Sequence, residues 1–298
     1  MRVVLFLCAL ASTFFCNQAA AESIDKSFHE SFDVEPGAVL HLQSGDGDVV
    51  VEPWDEATID VSVEYHYERS GLHWGRDLKD FNVLFRQEGD GVFVDEDRGD
   101  SGTSVQLGTV NRREYLYLIK APAWVELDVD GEDGDIQVSG WNANVEIVCD
   151  DGNVDLIDSD GSRFDLQLED GDLKLRRCAA DIHVEIEDGD VDLEEVTTQN
   201  FALEAADGEI DLDLVGDGVV DWVVRVDDGD VRLAFSGEVD AEVLIETDDG
   251  DIRIDTVEAD DTRSREGSYS GRLGSGEGHL RLRTEDGDIS LRQMSPTS

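Results

Sequence analysis

The residues most able to do chemistry in this chain are carboxylates, and they recur in one short phrase. Asp precedes a glycine at Asp46, Asp133, Asp151, Asp170, Asp188, Asp207, Asp228, Asp249 and Asp286, and the residue after that glycine is acidic in every copy but the one with Asn153. Oxygen ligands at such density suit Ca²⁺, which takes six to eight of them. The candidate ligands are Asp170, Asp172, Asp188, Asp190, Asp228, Asp230, Asp249 and Asp251. The competing reading has the Asp before the glycine capping its turn while the others face solvent. Carboxylates one strand apart, roughly 4.8 Å, repel by about 0.9 kcal/mol in bulk water, so backbone bonds, salt or Ca²⁺ must offset them. No EF-hand loop is present, since "DVDGEDGD" at 128–135 has its glycine misplaced.

Other chemistry finds little support. His29, His41, His66, His73, His183 and His279 are scattered, without an HExxH pair, and His183 falls at an outward strand position. "GSYSG" at 267–271 puts Tyr269 where a nucleophilic serine would stand, and "GRLGSGEG" lacks the spacing of a phosphate loop. No catalytic or cofactor-binding residue is therefore assigned. Arg98-Gly99-Asp100 spells a tripeptide that animal integrins read, in a chain rich enough in Gly and Asp to produce it by chance.

These carboxylates must be positioned by a repeat. The central glycines Gly134, Gly152, Gly171, Gly189, Gly208, Gly229 and Gly250 are spaced 18, 19, 18, 19, 21 and 21 residues apart, with outlying copies at Gly47 and Gly287. Apolar residues alternate on both sides of each turn, as in Phe164, Leu166, Leu168, then Leu173 and Leu175 around Gly171. Period two means strands with one buried face, and Asp-Gly supplies the turn between them. Two short strands per period, copied many times, predict an all-β, single-domain parallel β-solenoid with rungs of about 19 residues. A series of independent Asp-Gly hairpins is the rival. Residues 22–121 follow the period poorly and read as a β-rich N-terminal cap continuous with the solenoid, with strands near 82–87, 91–95 and 113–120 and a short helix within 69–81. Solenoid repeats fill 122–292, a Gly/Ser-rich loop near 258–279 interrupts one rung, and 293–298 form a disordered tail.

The chain has 298 residues, 72 Asp+Glu against 23 Lys+Arg, and a net charge of -49. That charge excludes nucleic acid as a partner, because the phosphate backbone rewards Lys and Arg. Residues 1–21 read as a signal peptide: Arg2, an apolar run from Val3 to Cys16, then Ala19-Ala20-Ala21 as the cleavage site. The mature protein would be exported, to the periplasm or the cell surface, with no transmembrane segment left. It would retain Cys149 and Cys178, both inward and at opposite lateral ends of adjacent rungs, which favours two buried thiols over a disulfide.

The pairing of "FDVEPGAVLHLQSGDGDVVVEPWDEATIDVSVEYHYE" with the later "DGDI" repeats and the closing "GSGEGHLRLRTEDGDISL" resembles the bacterial "putative adhesin" domain family over roughly residues 28–292. The resemblance implies a cell-envelope β-solenoid and, by name, adhesion; it supplies no catalytic residues. Three function classes follow. The first is a non-catalytic adhesin or scaffold whose β faces bind a protein or glycan at the envelope. The others are a calcium-stabilised repeat module and a polysaccharide-active β-helix enzyme, which would need arginine and carboxylates converging on a groove.

Overall fold

The computed structural model describes residues 22–74, 81–97 and 105–294, so the leader at 1–21 and the Arg98-Gly99-Asp100 triplet lie outside the described residues. All regular structure in the described residues is β. After β1 (Glu22–Asp33), β2 (Val39–Ser44) and β3 (Asp48–Pro53) flank Gly47. Then come β4 (Thr58–Trp74), β5 (Asn82–Glu88), β6 (Gly91–Asp97) and β7 (Val105–Ala121). Strand pairs flank the next glycines in turn: β8 (Glu126–Asp133) and β9 (Ile136–Ser139) at Gly134, β10 (Val145–Asp151) and β11 (Val154–Ile157) at Gly152, β12 (Asp160–Asp170) and β13 (Leu173–Arg176) at Gly171. β14 (Ala179–Asp188) and β15 (Val191–Thr197) flank Gly189, and β16 (Asn200–Asp207) and β17 (Ile210–Val219) flank Gly208. β18 (Asp221–Asp228) leads through Gly229 into the long β19 (Val231–Asp249), and β20 (Ile252–Asp255) follows Gly250. A hairpin, β21 (Asp260–Arg265) and β22 (Ser268–Leu273), precedes β23 (Gly278–Asp286) and β24 (Ile289–Gln293) around Gly287.

Equivalent strands pair in parallel, which decides against independent hairpins. Leu127, Val145, Phe164, Ile182, Phe201 and Trp222 stand in one register column before the glycines. Ile136, Val154, Leu173, Val191, Ile210 and Val231 form the matching column after them. Both columns are buried and face each other across one core. Glycine is obligatory at the fold line: a Cβ on Gly189 would overlap the carbonyl of Gly171 in the neighbouring rung, and its φ of 150° is one that L side chains avoid.

The same close approach reveals the stacking order. A Cβ on Gly287 would strike the carbonyl of Gly229, and one on Gly250 would strike that of Gly287. The last copy in sequence thus lies between the Gly229 and Gly250 rungs, with β23 parallel to β18 on one side and to the end of β19 on the other. The stack departs from sequence order at its end, and the loop expected near 258–279 is corrected to a β-hairpin. In that stretch Tyr269 and Leu273 turn inward from β22, which pairs antiparallel with the outer edge of β19. With that edge taken, the chain turns back through 274–277 and enters the stack one rung earlier. Asp240 holds the return, accepting hydrogen bonds from Ser275 N (3.0 Å), Ser275 Oγ (2.6 Å), Gly276 N (2.6 Å) and Glu277 N (2.9 Å). These bonds hold its carboxyl down at a pKa of about 2.

Two smaller expectations also change. Arg69–Trp74, read as part of a short helix, continue β4. Gln293, placed in a disordered tail, pairs with Phe235 in β24, and Met294 N donates to Phe235 O at 2.7 Å.

A second corner closes five of the rungs six residues after the glycine. Gly140, Asp158, Arg177, Glu195 and Thr256 all occupy it with φ between 52° and 63°. One residue further on, Trp141, Cys178 and Val196 turn into the core. Ser159 fills that place in its rung, its Oγ accepting from Trp141 N (3.1 Å) and donating to Ile157 O (3.0 Å). Cys149 and Cys178 are buried and unbonded.

Candidate functional site: the acidic edge and the outer faces

The glycine column carries the acidic phrase along one edge of the stack, and its members do different jobs. The Asp before each glycine contributes its backbone: Gly152 N donates to Asp170 O at 3.0 Å and Gly171 N to Asp188 O at 3.0 Å, while these side chains are exposed. The residue after the glycine builds a ladder between rungs. Asp48 Oδ1 accepts from Asp135 N (3.1 Å), Asp135 Oδ1 from Asn153 N (3.0 Å), and Asn153 Oδ1 from Asp172 N (2.9 Å). Asp172 continues to Asp190 N (3.2 Å) and Asp190 to Glu209 N (2.9 Å). At Glu209 the longer side chain turns instead to Arg232. The ladder resumes from Asp230 to Asp288 N (2.9 Å) and from Asp288 to Asp251 N (2.9 Å). The side chain that bonds backbone is therefore that of the Asp after the glycine, reaching into the neighbouring rung, and not that of the Asp before it capping its own turn.

The eight calcium candidates divide accordingly. Asp172, Asp190 and Asp230 accept ladder bonds, Asp251 donates one from its N–H, and Asp170, Asp188, Asp228 and Asp249 extend exposed carboxylates from the preceding position. Their oxygens run in single file. Among the described residues no three His, Cys, Asp or Glu side chains gather around one point at metal-binding distance. The file does not fit a Ca²⁺ ion that needs six or more oxygens around it.

Burial and like charge act on several outward carboxylates. Burial raises the pKa of Asp130, helped by Asp150 and Asp128, and raises that of Asp211, helped by Asp192 and Asp190. Asp213 is raised first by burial and next by Glu195. Burial pushes the Cys149 thiol up to about 11, so it is not poised as a nucleophile. His41, His66 and His279 each lie beside a carboxylate, at 2.5 Å from Asp128, 2.6 Å from Asp25 and 2.7 Å from Asp221. His183 faces outward at 3.2 Å from Glu185. The hydrogen bond from Asp25 raises the pKa of His66.

The outer face of the strands before the glycines holds a shallow groove of about 500 Å³, bordered by Gln167, Glu185, Glu204 and Arg225. Arg225 Nη1 is engaged by Glu204 Oε1 at 2.8 Å. The groove arises where the outward columns carry small residues such as Ala206, a substitution within the repeat that is visible in the sequence once the register is known.

No curated protein matches the chain. Two solved structures are similar to it over most of its length. A putative adhesin from Bacteroides fragilis is 10% identical, with 90% of this chain and 97% of that one covered at a TM-score of 0.45. A putative cell adhesion protein from Clostridium sporogenes is 12% identical, with 90% and 100% covered at a TM-score of 0.23. At those scores neither superposition establishes a common fold. The profile of the Toastrack DUF4097 family, by contrast, matches residues 38–292, and the chain belongs to that family.

Proposed function

We propose that the protein is an exported, non-catalytic binding module or scaffold of the cell envelope, with adhesion as its work. One observation carries this reading: the stack presents two long ruled faces whose outward side chains recur once per strand, an extended surface of the kind repeat proteins use for binding. The leader-like segment before Glu22 and the carboxylate coat suit a soluble protein outside the cytoplasm. The test is fractionation of cells producing the full chain, followed by binding of the mature protein to intact cells. Recovery in the envelope or medium with saturable cell binding is expected. Retention in the cytoplasm, or no binding to cells, would overturn it.

The groove beside Arg225 and Glu204 favours a second reading, a polysaccharide-active enzyme. Release of reducing ends from envelope polysaccharide would establish it over the first. The ladder gives the acidic edge its own backbone donors, so the melting midpoint is expected to be equal in Ca²⁺ and in chelator at fixed ionic strength. A rise with Ca²⁺ would restore the calcium-stabilised module.

A further inference from the structure

The charge of the outer face before the glycines reverses along the stack. Its two central outward columns carry Asp128, Asp130, Glu146, Asp165, Glu185 and Glu204 across the Gly134 to Gly208 rungs, with no lysine or arginine. At the C-terminal end the same columns turn cationic. Arg281 lies between Val223 and Leu244, and Arg283 lies between Arg225 and Glu246. The hairpin continues both rows with Arg263 opposite Ser270 and Arg265 opposite Ser268. The insertion of β23 creates this patch, because it places two arginines beside Arg225 that a sequential stack would have put beyond the Gly250 rung.

Three of these five arginines, Arg263, Arg265 and Arg281, are exposed and have no carboxylate partner among the described residues. Arg225 is held by Glu204, and Arg283 reaches Asp248 at 3.2 Å. Leu244 is 37% exposed within the first row, between Arg281 and Ser270, an apolar spot amid charge. The rows span five strands, roughly 19 Å.

We propose that this face binds a linear polyuronate, an anionic polysaccharide whose carboxylates are taken by Arg281, Arg263 and Arg265 and whose ring faces pack on Leu244 and Val223. The planar guanidinium fork matches carboxylate, and an unpartnered one gives up no internal ion pair on binding. A chain lying on this patch stays clear of the acidic rungs. Of the carboxylates near it, Glu204 is already engaged by Arg225, and Glu185 is two strands from Val223, roughly 10 Å, beyond the screening length of about 8 Å at physiological ionic strength. A second copy of the protein would instead bring its own -49 surface alongside the first. The inference rests on the binding-module reading and gives that module a face and a ligand class.

The experiment measures binding of polygalacturonate, with neutral dextran as control, to the mature protein and to R281E/R283E. A second double variant, K174E/R176E, makes the same charge change on the opposite face. Polygalacturonate is expected to bind the wild type and K174E/R176E alike, to weaken with added salt, and to lose about tenfold or more in affinity with R281E/R283E. Arg281→Ser, which breaks no ion pair, is expected to show a smaller loss and covers the case in which the double variant fails to fold. Polygalacturonate binding no tighter than dextran, or equal losses in both double variants, would overturn the proposal. So would self-association that R281E/R283E abolishes, which would make a second copy the partner. If the wild type binds cells but not polygalacturonate, this inference falls and the binding-module reading stands.

Discussion

At the N-terminal end the Gly47 rung lies inside, between the Gly134 rung and an outer layer of β6 and β7. At the C-terminal end the Gly287 rung lies inside, between Gly229 and Gly250. Both ends thus tuck a copy of the repeat beneath chain that is adjacent in sequence, but they finish differently. Beyond the N-terminal layer both faces continue into antiparallel strands, β5 on one and β4 with β1 on the other. Beyond the Gly250 rung one face continues into β22 and β21, while the other stops at β20. Ile59, Val61 and Val63 in β4 are fully buried, whereas Ile252 and Ile254 in β20 are half-buried. An open parallel edge invites another strand. Here it is only four residues long and carries Arg253 and Asp255 outward, two of the ways natural sheets blunt such an edge.

The sharpest way to break the comparison is at the two inserted glycines. Gly287→Ala sets a methyl against the backbone carbonyl of Gly229, which cannot move without shifting a rung. Gly47→Ala meets Tyr115 Cβ and the Tyr117 ring at 2.8 Å, side-chain rather than carbonyl contacts, and at a backbone conformation outside the left-handed region that Gly287 occupies. A loss on the order of 4 kcal/mol in chemical unfolding is expected for Gly287→Ala and roughly half that for Gly47→Ala. Equal losses would mean the two insertions are equally rigid. Next in size is the core itself. Ile59→Ala is expected to cost about 3 kcal/mol and Ile254→Ala about 1, since the half-buried edge position leaves less cavity and less transfer energy to lose. A cost for Ile254→Ala matching that of Ile59→Ala would show that something covers β20 in solution.

Much of this architecture is legible in the sequence because its cause is strictly periodic. The columns through Phe164, Leu166, Leu173 and Leu175 are fixed by alternation, which a one-residue slip would turn to solvent. The order of the last rungs is not legible. Gly208 to Gly229 and Gly229 to Gly250 are both 21 residues, so the sequence spaces them as direct neighbours and gives no sign that Gly287 separates them. The clue lay in alternating Tyr269 and Leu273, obscured by the surrounding Gly and Ser. The ladder is hidden for a different reason: both Asp residues of the phrase are chemically identical, and only the neighbouring rung decides which one finds an N–H. The cationic patch depended on the unread insertion and could not be seen without it.

Acid separates the C-terminal return from the body of the stack more gently. Asp240, at the C-terminal return, has its pKa lowered to about 2 from an ordinary 3.8 by Ser275 first and then the backbone N–H groups. Its stabilisation is present above the unfolded value and is lost as pH falls from 3.8 towards 2. Asp130, Asp211 and Asp213 are raised above that value, so the folded chain takes up their protons first and stability rises as pH falls from neutrality towards their range. Denaturation midpoints across pH are therefore expected to pass through a mildly acidic maximum. Asp240→Asn should lower the neutral value, flatten the acid limb and speed amide exchange at 275–277. A midpoint that only falls from pH 7 downward would remove the burial effect on those three carboxylates.

The smallest effect sits at the second corner, where the ends differ in residue type for one backbone shape. Gly140 takes φ 63° without strain in the Gly134 rung, while Thr256 takes 57° at the terminal one. A β-branched residue in that region is a true outlier, which the stack tolerates because the one hydroxyl hydrogen of Thr256 is shared between Gln293 O and Asp255 O, each 2.7 Å from Oγ1. Asn accepts the left-handed conformation more readily and keeps a side-chain donor. Thr256→Asn is therefore expected to raise stability by about 0.5–1 kcal/mol, read as a higher urea midpoint at unchanged slope. No gain would mean that the bond to Gln293 outweighs the strain, and that the Gly250 rung is held at this corner as firmly as the Gly134 rung.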